Sequence, residues 1–318
     1  MQTALHPAAT PTLPVAHFRR LLVATDFSSA SQVAFRTALH LCHTLHASLT
    51  ILHVFEYSQI VTPETGGQLL ELDRIYEQAH HSLNTLALTA RQIGIPCNTV
   101  LGTGPAPQTI LDTISASCID LAVLGTNALH GFERLVFGST AEAVLRAAPC
   151  PVLTVGPQAA ENHAPNQSTS PSPTPQPVLF ATDFHHSTAP AVRYAAALSE
   201  LTQAPLHCLH VLPRTVKTNS QNHVVPAIVA EALQQLVREN SNPAQPPTCA
   251  VTYGSEVSHA IVDYACQQHA SLIVLGVRRA SMAASHTPSH IAYRIIAEAP
   301  CPVLTLAVAS HGATAACL

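Results

Sequence analysis

Charge is scarce in this chain of 318 residues. Asp, Glu, Lys and Arg together supply 10% of it, against roughly a quarter in an ordinary soluble domain. The basic residues form no cluster larger than the pairs Arg19-Arg20 and Arg278-Arg279, and the net charge is −4. That excludes the electrostatic footprint of a nucleic-acid partner. Long apolar runs are also missing. None approaches the roughly 18 residues that cross a bilayer, so no membrane partner is expected. The nine cysteines include no Cys-x-x-Cys pair, which speaks against a zinc site or a disulfide framework and for a reducing, cytoplasmic setting. Cys150, Cys208 and Cys301 sit in apolar runs and read as small core residues. Catalytic signatures are lacking too. There is no Gly-x-Ser-x-Gly elbow and no Gly-Lys-Ser/Thr of a phosphate-binding Walker loop, so fast phosphoryl transfer is not expected.

Apolar residues, by contrast, make up 47% of the chain, and there are 20 histidines. His40, His43 and His46, and separately His286 and His290, have helical spacing, but no carboxylate or cysteine completes a ligand set, so they are not read as a metal site. The length predicts about two domains. The first 16 residues carry Pro7, Pro11 and Pro14 without a basic or long apolar stretch; they are expected to be a flexible tail rather than a signal peptide.

From Arg19 onward, strand-like and helix-like segments alternate. Leu21–Ala24, Leu49–Phe55, Asn98–Leu101, Ile119–Leu124 and Val152–Val155 read as strands. Helices are predicted over Gln32–Leu45 (with Ser28 or Ser29 as N-cap), Gly67–Ile93, the segment ending near Ser117, and Thr140–Ala148. Gly102-Thr103-Gly104-Pro105 reads as a turn. Near-continuous apolar strands alternating with helices imply a parallel sheet covered on both faces. Residues 157–177 contain six prolines among Ser, Thr, Gln and Asn and read as a semi-extended linker.

The pattern then restarts. Leu179-Phe-Ala-Thr-Asp-Phe184 matches Leu22-Val-Ala-Thr-Asp-Phe27 at an offset of 157, and Leu209-His-Val211 matches Leu52-His-Val54 at the same offset. Further on, Ala299-Pro-Cys-Pro-Val-Leu-Thr305 repeats Ala148-Pro-Cys-Pro-Val-Leu-Thr154 at an offset of 151. One domain has been duplicated. The expected boundaries are a tail at 1–16, a domain at 17–156, the linker at 157–177, a second domain at 178–309 and a tail at 310–318.

The chemistry-bearing stretch is Gly125 to Ser139, between the fourth strand and a helix. Helix N-termini present unpaired N–H groups and a favourable dipole to anions. Ser139 and Glu142 also have the spacing of a capping box, a role compatible with phosphate contact. Asp26, after the first strand, has an Asx-turn or a cap as its bland role.

Val23-Ala-Thr-Asp-Phe-Ser28, Leu52-His-Val54, the loop closing on Gly138-Ser139 and Ala148-Pro-Cys-Pro-Val-Leu-Thr-Val155 together resemble the universal stress protein family, here in tandem. The resemblance implies two flavodoxin-like, Rossmann-like α/β domains. Each would be a doubly wound, five-stranded parallel sheet of order 3-2-1-4-5. It also implies a loop pattern Gly-x-x-Gly, nine residues, then Gly-Ser or Gly-Thr, which binds ATP with or without Mg²⁺. That pattern falls on Gly125, Ala128, Gly138 and Ser139, with alanine at the second glycine. If that position needs a left-handed backbone, alanine costs roughly 1–2 kcal/mol, around tenfold in affinity. The implied contacts are Asp26, with Thr25 beside it, at the ribose or adenine, and the backbone around Val54 at the adenine; Asn127 in the loop and Thr140, with a second hydroxyl or N–H at the helix start, complete the expected nucleotide-binding residues. The second copy has Gly276, Arg279, Ser289 and His290 in the loop positions and is expected to hold no such ATP site. The two domains are expected to pack face to face, with the resemblance implying pairing through the fifth strands, Val152–Val155 and Val303–Leu306, and a homodimer beyond that. The expected function is a cytosolic stress-response module binding adenine nucleotide in its N-terminal half. The alternatives are a slow ATPase or self-phosphorylating enzyme using Ser139 or Thr140, and a scaffold without nucleotide.

Overall fold

A strand that is apolar at every position must be covered on both faces, and each half of the chain begins with one. The computed structural model describes residues 18–56, 68–126, 138–162, 175–185, 189–214, 224–241, 243–278 and 288–308. The N-terminal half runs β1 (Arg20–Ala24), α1 (Ser29–Leu45), β2 (Ser48–Phe55), α2 (Gln68–Gln92), β3 (Cys97–Thr103), α3 (Ala106–Ala116), β4 (Leu121–Gly125), α4 (Ser139–Ala147) and β5 (Val152–Val155). A short helix α5 (Pro157–Asn162) follows. The C-terminal half runs β6 (Val178–Ala181), α6 (Ala189–Thr202), β7 (Leu206–Pro213), α7 (Val224–Asn240), β8 (Thr248–Gly254), α8 (Val257–Gln267), β9 (Leu272–Arg278), α9 (Pro288–Glu298) and β10 (Val303–Val308).

The strands form one ten-stranded sheet of order β3-β2-β1-β4-β5-β10-β9-β6-β7-β8. Each half is therefore parallel and ordered 3-2-1-4-5. Side chains alternate across the pleat. Leu21 and Val23 belong to one core layer, under α1 and α2, and Leu22 to the other, under α3 and α4. Both layers continue through the second half, with Phe180 and Val274 in the first and Leu179 and Leu275 in the second. Cys208 and Cys301 are buried core residues and Cys150 is partly so; burial pushes the Cys150 and Cys301 thiols up to about 12.

The halves meet edge to edge rather than face to face. β5 and β10 pair antiparallel, with Val152 opposite Thr305, Leu153 opposite Leu304 and Thr154 opposite Val303. Since Val303 and Thr305 are the repeats of Val152 and Thr154, the seam is self-complementary in the manner of a two-fold dimer interface, with its pseudo-axis at Leu153 and Leu304. Joining two apolar edges satisfies backbone groups that would otherwise stand open. The symmetry is imperfect: Thr305 Oγ1 donates to the Val152 carbonyl at 3.1 Å, whereas the buried Thr154 hydroxyl has no partner. Outside the sheet, Arg146 Nε donates to Tyr293 Oη across the seam at 3.1 Å.

Two local expectations are corrected. The segment after β5, read as extended, starts with a helical turn, because Pro157 stands at the helix start, where its missing N–H costs nothing. That helix, α5, packs against α1 and α9, buries Ala159 and anchors Asn162 Nδ2 on the Pro300 carbonyl at 2.9 Å. The turn read at Gly102 starts later. Gly102 lies within β3, where an added Cβ would come within 2.5 Å of the Thr109 side chain, and the left-handed residue is Gly104, at φ +121°.

Gly156 sits at the end of the seam, and a Cβ there would lie 1.9 Å from the Ile296 carbonyl oxygen. Gly156→Ala is expected to force the two halves apart locally and to cost about 1–3 kcal/mol, as overpacking does. The urea unfolding midpoint of the full chain measures this; a midpoint equal to wild type would show that the seam yields freely there.

Candidate functional site

In an open α/β sheet, ligands bind beyond the carboxyl ends of the strands where the winding reverses. Here that point lies between β1 and β4, which pair directly. A cavity of about 330 Å³ opens there, and its lining brings together Thr25, Asp26, Val54, Gly125, Gly138, Ser139 and Thr140. Asn127 and Ala128 lie outside the described residues.

The loop after β1 is locked by its own hydrogen bonds. The buried Thr25 hydroxyl meets Ser31 Oγ at 3.0 Å and accepts the Phe27 N–H at 3.0 Å. Thr25 thus lines the cavity but spends its hydroxyl on the loop. Asp26 Oδ1 accepts the Ser28 N–H at 3.0 Å, the Asx-turn anticipated for it, and Phe27 takes a left-handed φ of +62°. Ser28 in turn caps α1 by accepting the Ser31 N–H at 3.3 Å. Burial alone would raise the Asp26 pKa, but hydrogen bonds from Ser28 and Ser31 outweigh it and hold the carboxyl below its ordinary 3.8. His53 Nδ1 contacts the Thr25 carbonyl at 2.8 Å, and its ring stands 4.5 Å from that of Phe27.

The two glycines play different parts. A Cβ on Gly125 would lie 2.4 Å from the Ala30 carbonyl oxygen. This glycine is demanded by the backbone of α1 pressing on β4, and it would be needed with or without a ligand. Gly138 has an ordinary φ of −56°, and a Cβ there would meet nothing within 4 Å. Neither the backbone conformation nor the packing calls for glycine; what the missing Cβ leaves is clear space at the mouth of the cavity.

Three helix N-termini approach this cavity, and their donors are treated differently. Ser28 caps α1. The first N–H of α3, on Ala106, is taken by Glu56 Oε1 at 2.8 Å. The N-terminus of α4 has no side-chain cap. The capping box expected from Ser139 and Glu142 does not form: Gly138 is the N-cap, Ser139 is already the first helical residue, and Glu142 pairs with Arg146 one turn on, at 2.6 Å. The first turn of α4, with the Ser139 and Thr140 side chains, is thereby left facing the cavity.

Thr126 is the residue that sequence reasoning missed. Its N–H is fixed on the Val155 carbonyl at 3.0 Å. Its side chain is 4% exposed, lines the cavity, and carries a buried hydroxyl without a partner. An unsatisfied buried hydroxyl is costly. The available signal was the duplication: Thr126 aligns with Val277, so the two copies differ by one hydroxyl at this point. Among the described residues no group of three metal-ligating side chains gathers.

The C-terminal half has its own cavity at the corresponding strand ends, about 480 Å³, lined by Thr182, Asp183, His210, Val257, Gly276, Val277 and Ile291 among others. Arg279 lies outside the described residues. Ser289 and His290 fall in the first turn of α9.

Two doubly wound α/β domains, each with a cavity beyond its strand ends, define the class of fold. The particular kind follows from comparison: the pattern of the universal stress protein family matches residues 17–156 and again 175–306, and the chain belongs to that family. A universal stress protein of Methanocaldococcus jannaschii is 28% identical over 139 residues, 43% of this chain and 82% of that protein. A universal stress protein A homologue of Coxiella burnetii is 30% identical over 145 residues, 44% of this chain and 96% of its own length. Among solved structures, a universal stress protein from Archaeoglobus fulgidus matches with a TM-score of 0.63 and 18% identity, over 90% of this chain and 97% of that one. It establishes the tandem fold.

Two outcomes test this geometry. Thr126→Val removes the unpaired hydroxyl and is expected to raise the stability of the ligand-free protein by about 1 kcal/mol, read from urea unfolding; a loss of stability would show that the hydroxyl has a partner. Asp26→Asn keeps the turn but not the charge. Because the Asp26 pKa is depressed on folding, its contribution is present above the ordinary carboxylate range and is lost as pH falls through the depressed value. The variant's melting temperature should therefore fall less steeply than wild type below about pH 4. Parallel curves would contradict this.

Proposed function

We propose that the N-terminal cavity is an adenine-nucleotide site and that the protein works in the cytoplasm as a nucleotide-dependent binding module. The observation that carries this is the buried, unpartnered Thr126 hydroxyl lining the same cavity as the start of α4, which has no side-chain cap among the described residues. Ser28 accepts one N–H at the start of α1 and Glu56 one at the start of α3, so an anion arriving in the cavity is best placed at the start of α4, where no described side chain competes for the N–H groups. In this reading the phosphates lie against α4, with Ser139 and Thr140 supplying hydroxyls and Gly138 the clearance. Asp26 faces the ribose hydroxyls, and Val54 and Ile110 line the base. ATP would carry Mg²⁺ on its phosphates, and Asp26 is the only carboxylate among the described lining residues. No lysine is present among the described lining residues, which favours binding over turnover.

The test is calorimetric titration of the full chain with ATP and with AMP. One nucleotide per chain is expected. Asp26→Ala and Gly138→Ala should each weaken it at least tenfold, about 1.4 kcal/mol. Gly138→Ala should meanwhile leave folding stability within about 0.5 kcal/mol, since the entropic gain of Gly→Ala is offset by alanine's poorer N-cap character. Absence of heat at millimolar ATP would overturn the reading, as would wild-type affinity in both variants.

A further inference from the structure

The second cavity keeps the frame of the first and replaces its chemistry. His210 Nδ1 meets the Thr182 carbonyl at 2.8 Å, as His53 meets that of Thr25. Phe184 takes a φ of +60°, as Phe27 takes +62°, and its ring lies 4.8 Å from His210. Asp183 Oδ1 closes the same turn on the His185 N–H at 3.0 Å. On the opposite wall three corresponding positions become aliphatic, while Gly138 and Ser139 correspond to Ser289 and His290. Ala106, the first residue of α3, becomes Val257, the first residue of α8. Thr126 becomes Val277, and Thr140 becomes Ile291. Two hydroxyls and a methyl have become three branched aliphatic groups.

Those larger side chains have not filled the cavity, which at about 480 Å³ exceeds the roughly 330 Å³ of its counterpart. Val257 is 36% exposed and Ile291 is 42% exposed, so the walls present apolar surface to water. Such surface, gathered in a concave site with a few polar groups at one end, is the signature of a ligand pocket. Among the described lining residues Asp183 is the only carboxylate, and none is lysine or arginine.

We propose that the C-terminal cavity binds a compact, largely apolar molecule carrying a single hydrogen-bond-donating group. The apolar body packs between Val257, Val277 and Ile291, and the donor is directed to Asp183. This proposal does not rest on the nucleotide reading of the other cavity, whose residues it does not use.

The probe is N-phenyl-1-naphthylamine, a compact aromatic with one N–H, titrated into the full chain and followed by its fluorescence gain. One site per chain is expected. The double variant Val277→Thr/Ile291→Thr, which restores the residues of the N-terminal cavity, should weaken binding at least tenfold while its thermal unfolding remains a single transition. Ile291→Ala alone should weaken it several-fold. Leu88→Ser, at an exposed apolar position of α2, should bind as wild type, and millimolar ATP should leave the probe in place. The proposal is overturned by any of four results: no saturable site, wild-type affinity in both Ile291 variants, a loss of equal size in Leu88→Ser, or displacement of the probe by ATP.

Discussion

The antiparallel pairing of β5 with β10 is the contact on which the remainder of the molecule depends. Each half is an open parallel sheet whose fifth strand buries its paired residues, Val152 to Thr154 in β5 and Val303 to Thr305 in β10, and such an apolar edge is a liability in water alone. The pairing supplies backbone partners for that edge and turns two separate core layers into layers that run the width of the molecule. It also explains why α5, Gly156 and the Arg146–Tyr293 bond gather where they do. All of them join the two halves: α5 packs on α9, Gly156 lies against Ile296 and Arg146 reaches Tyr293.

The N-terminal cavity is built by subtraction. Three helix starts and a loop converge on it, and each brings donors that could be satisfied internally. Most are: Thr25 with Ser31 and Phe27, Asp26 with Ser28, Glu56 with Ala106. Among the described residues, the start of α4 has no side-chain cap and the Thr126 hydroxyl has no partner, and both line the cavity. Thr126 is not alone in this among the described residues, since the Thr154 hydroxyl at the seam and Arg193 Nε are buried without a partner as well, but of the three only Thr126 lines this cavity.

Much of the architecture could be read from the residues. Continuous apolar strands alternating with helical spacing gave a covered parallel sheet, and two offsets in the repeat gave the duplication. The strand limits shifted by only a few residues, chiefly where glycine had two possible meanings: Gly102 serves close packing of α3, while Gly104 makes the turn. The segment after Pro157 misled because proline suits an extended linker and a helix start equally well. At the site, Asp26 and Gly138 could be singled out, but their surroundings could not. Ser139 has the spacing of a capping box, yet its helix starts one residue earlier and Glu142 finds Arg146 instead. Thr126 carried no motif of its own. Its meaning depends on burial and on the absence of a partner, neither of which a one-dimensional pattern expresses. The edge-to-edge join was foreshadowed by the choice of strands but not by their mutual orientation.

That orientation has a geometric consequence. Because β5 and β10 run in opposite directions while each is parallel to its own half, the carboxyl ends of the two sets of strands lie at opposite margins of the sheet. The two cavities therefore open away from each other. Occupants of the two mouths do not share a wall, a counter-ion or a path of entry, and a macromolecule covering one mouth leaves the other open to solvent. A single chain of this form therefore has two unlike margins: one presents hydroxyls and the start of α4, the other an aliphatic recess, with a sheet ten strands wide between them.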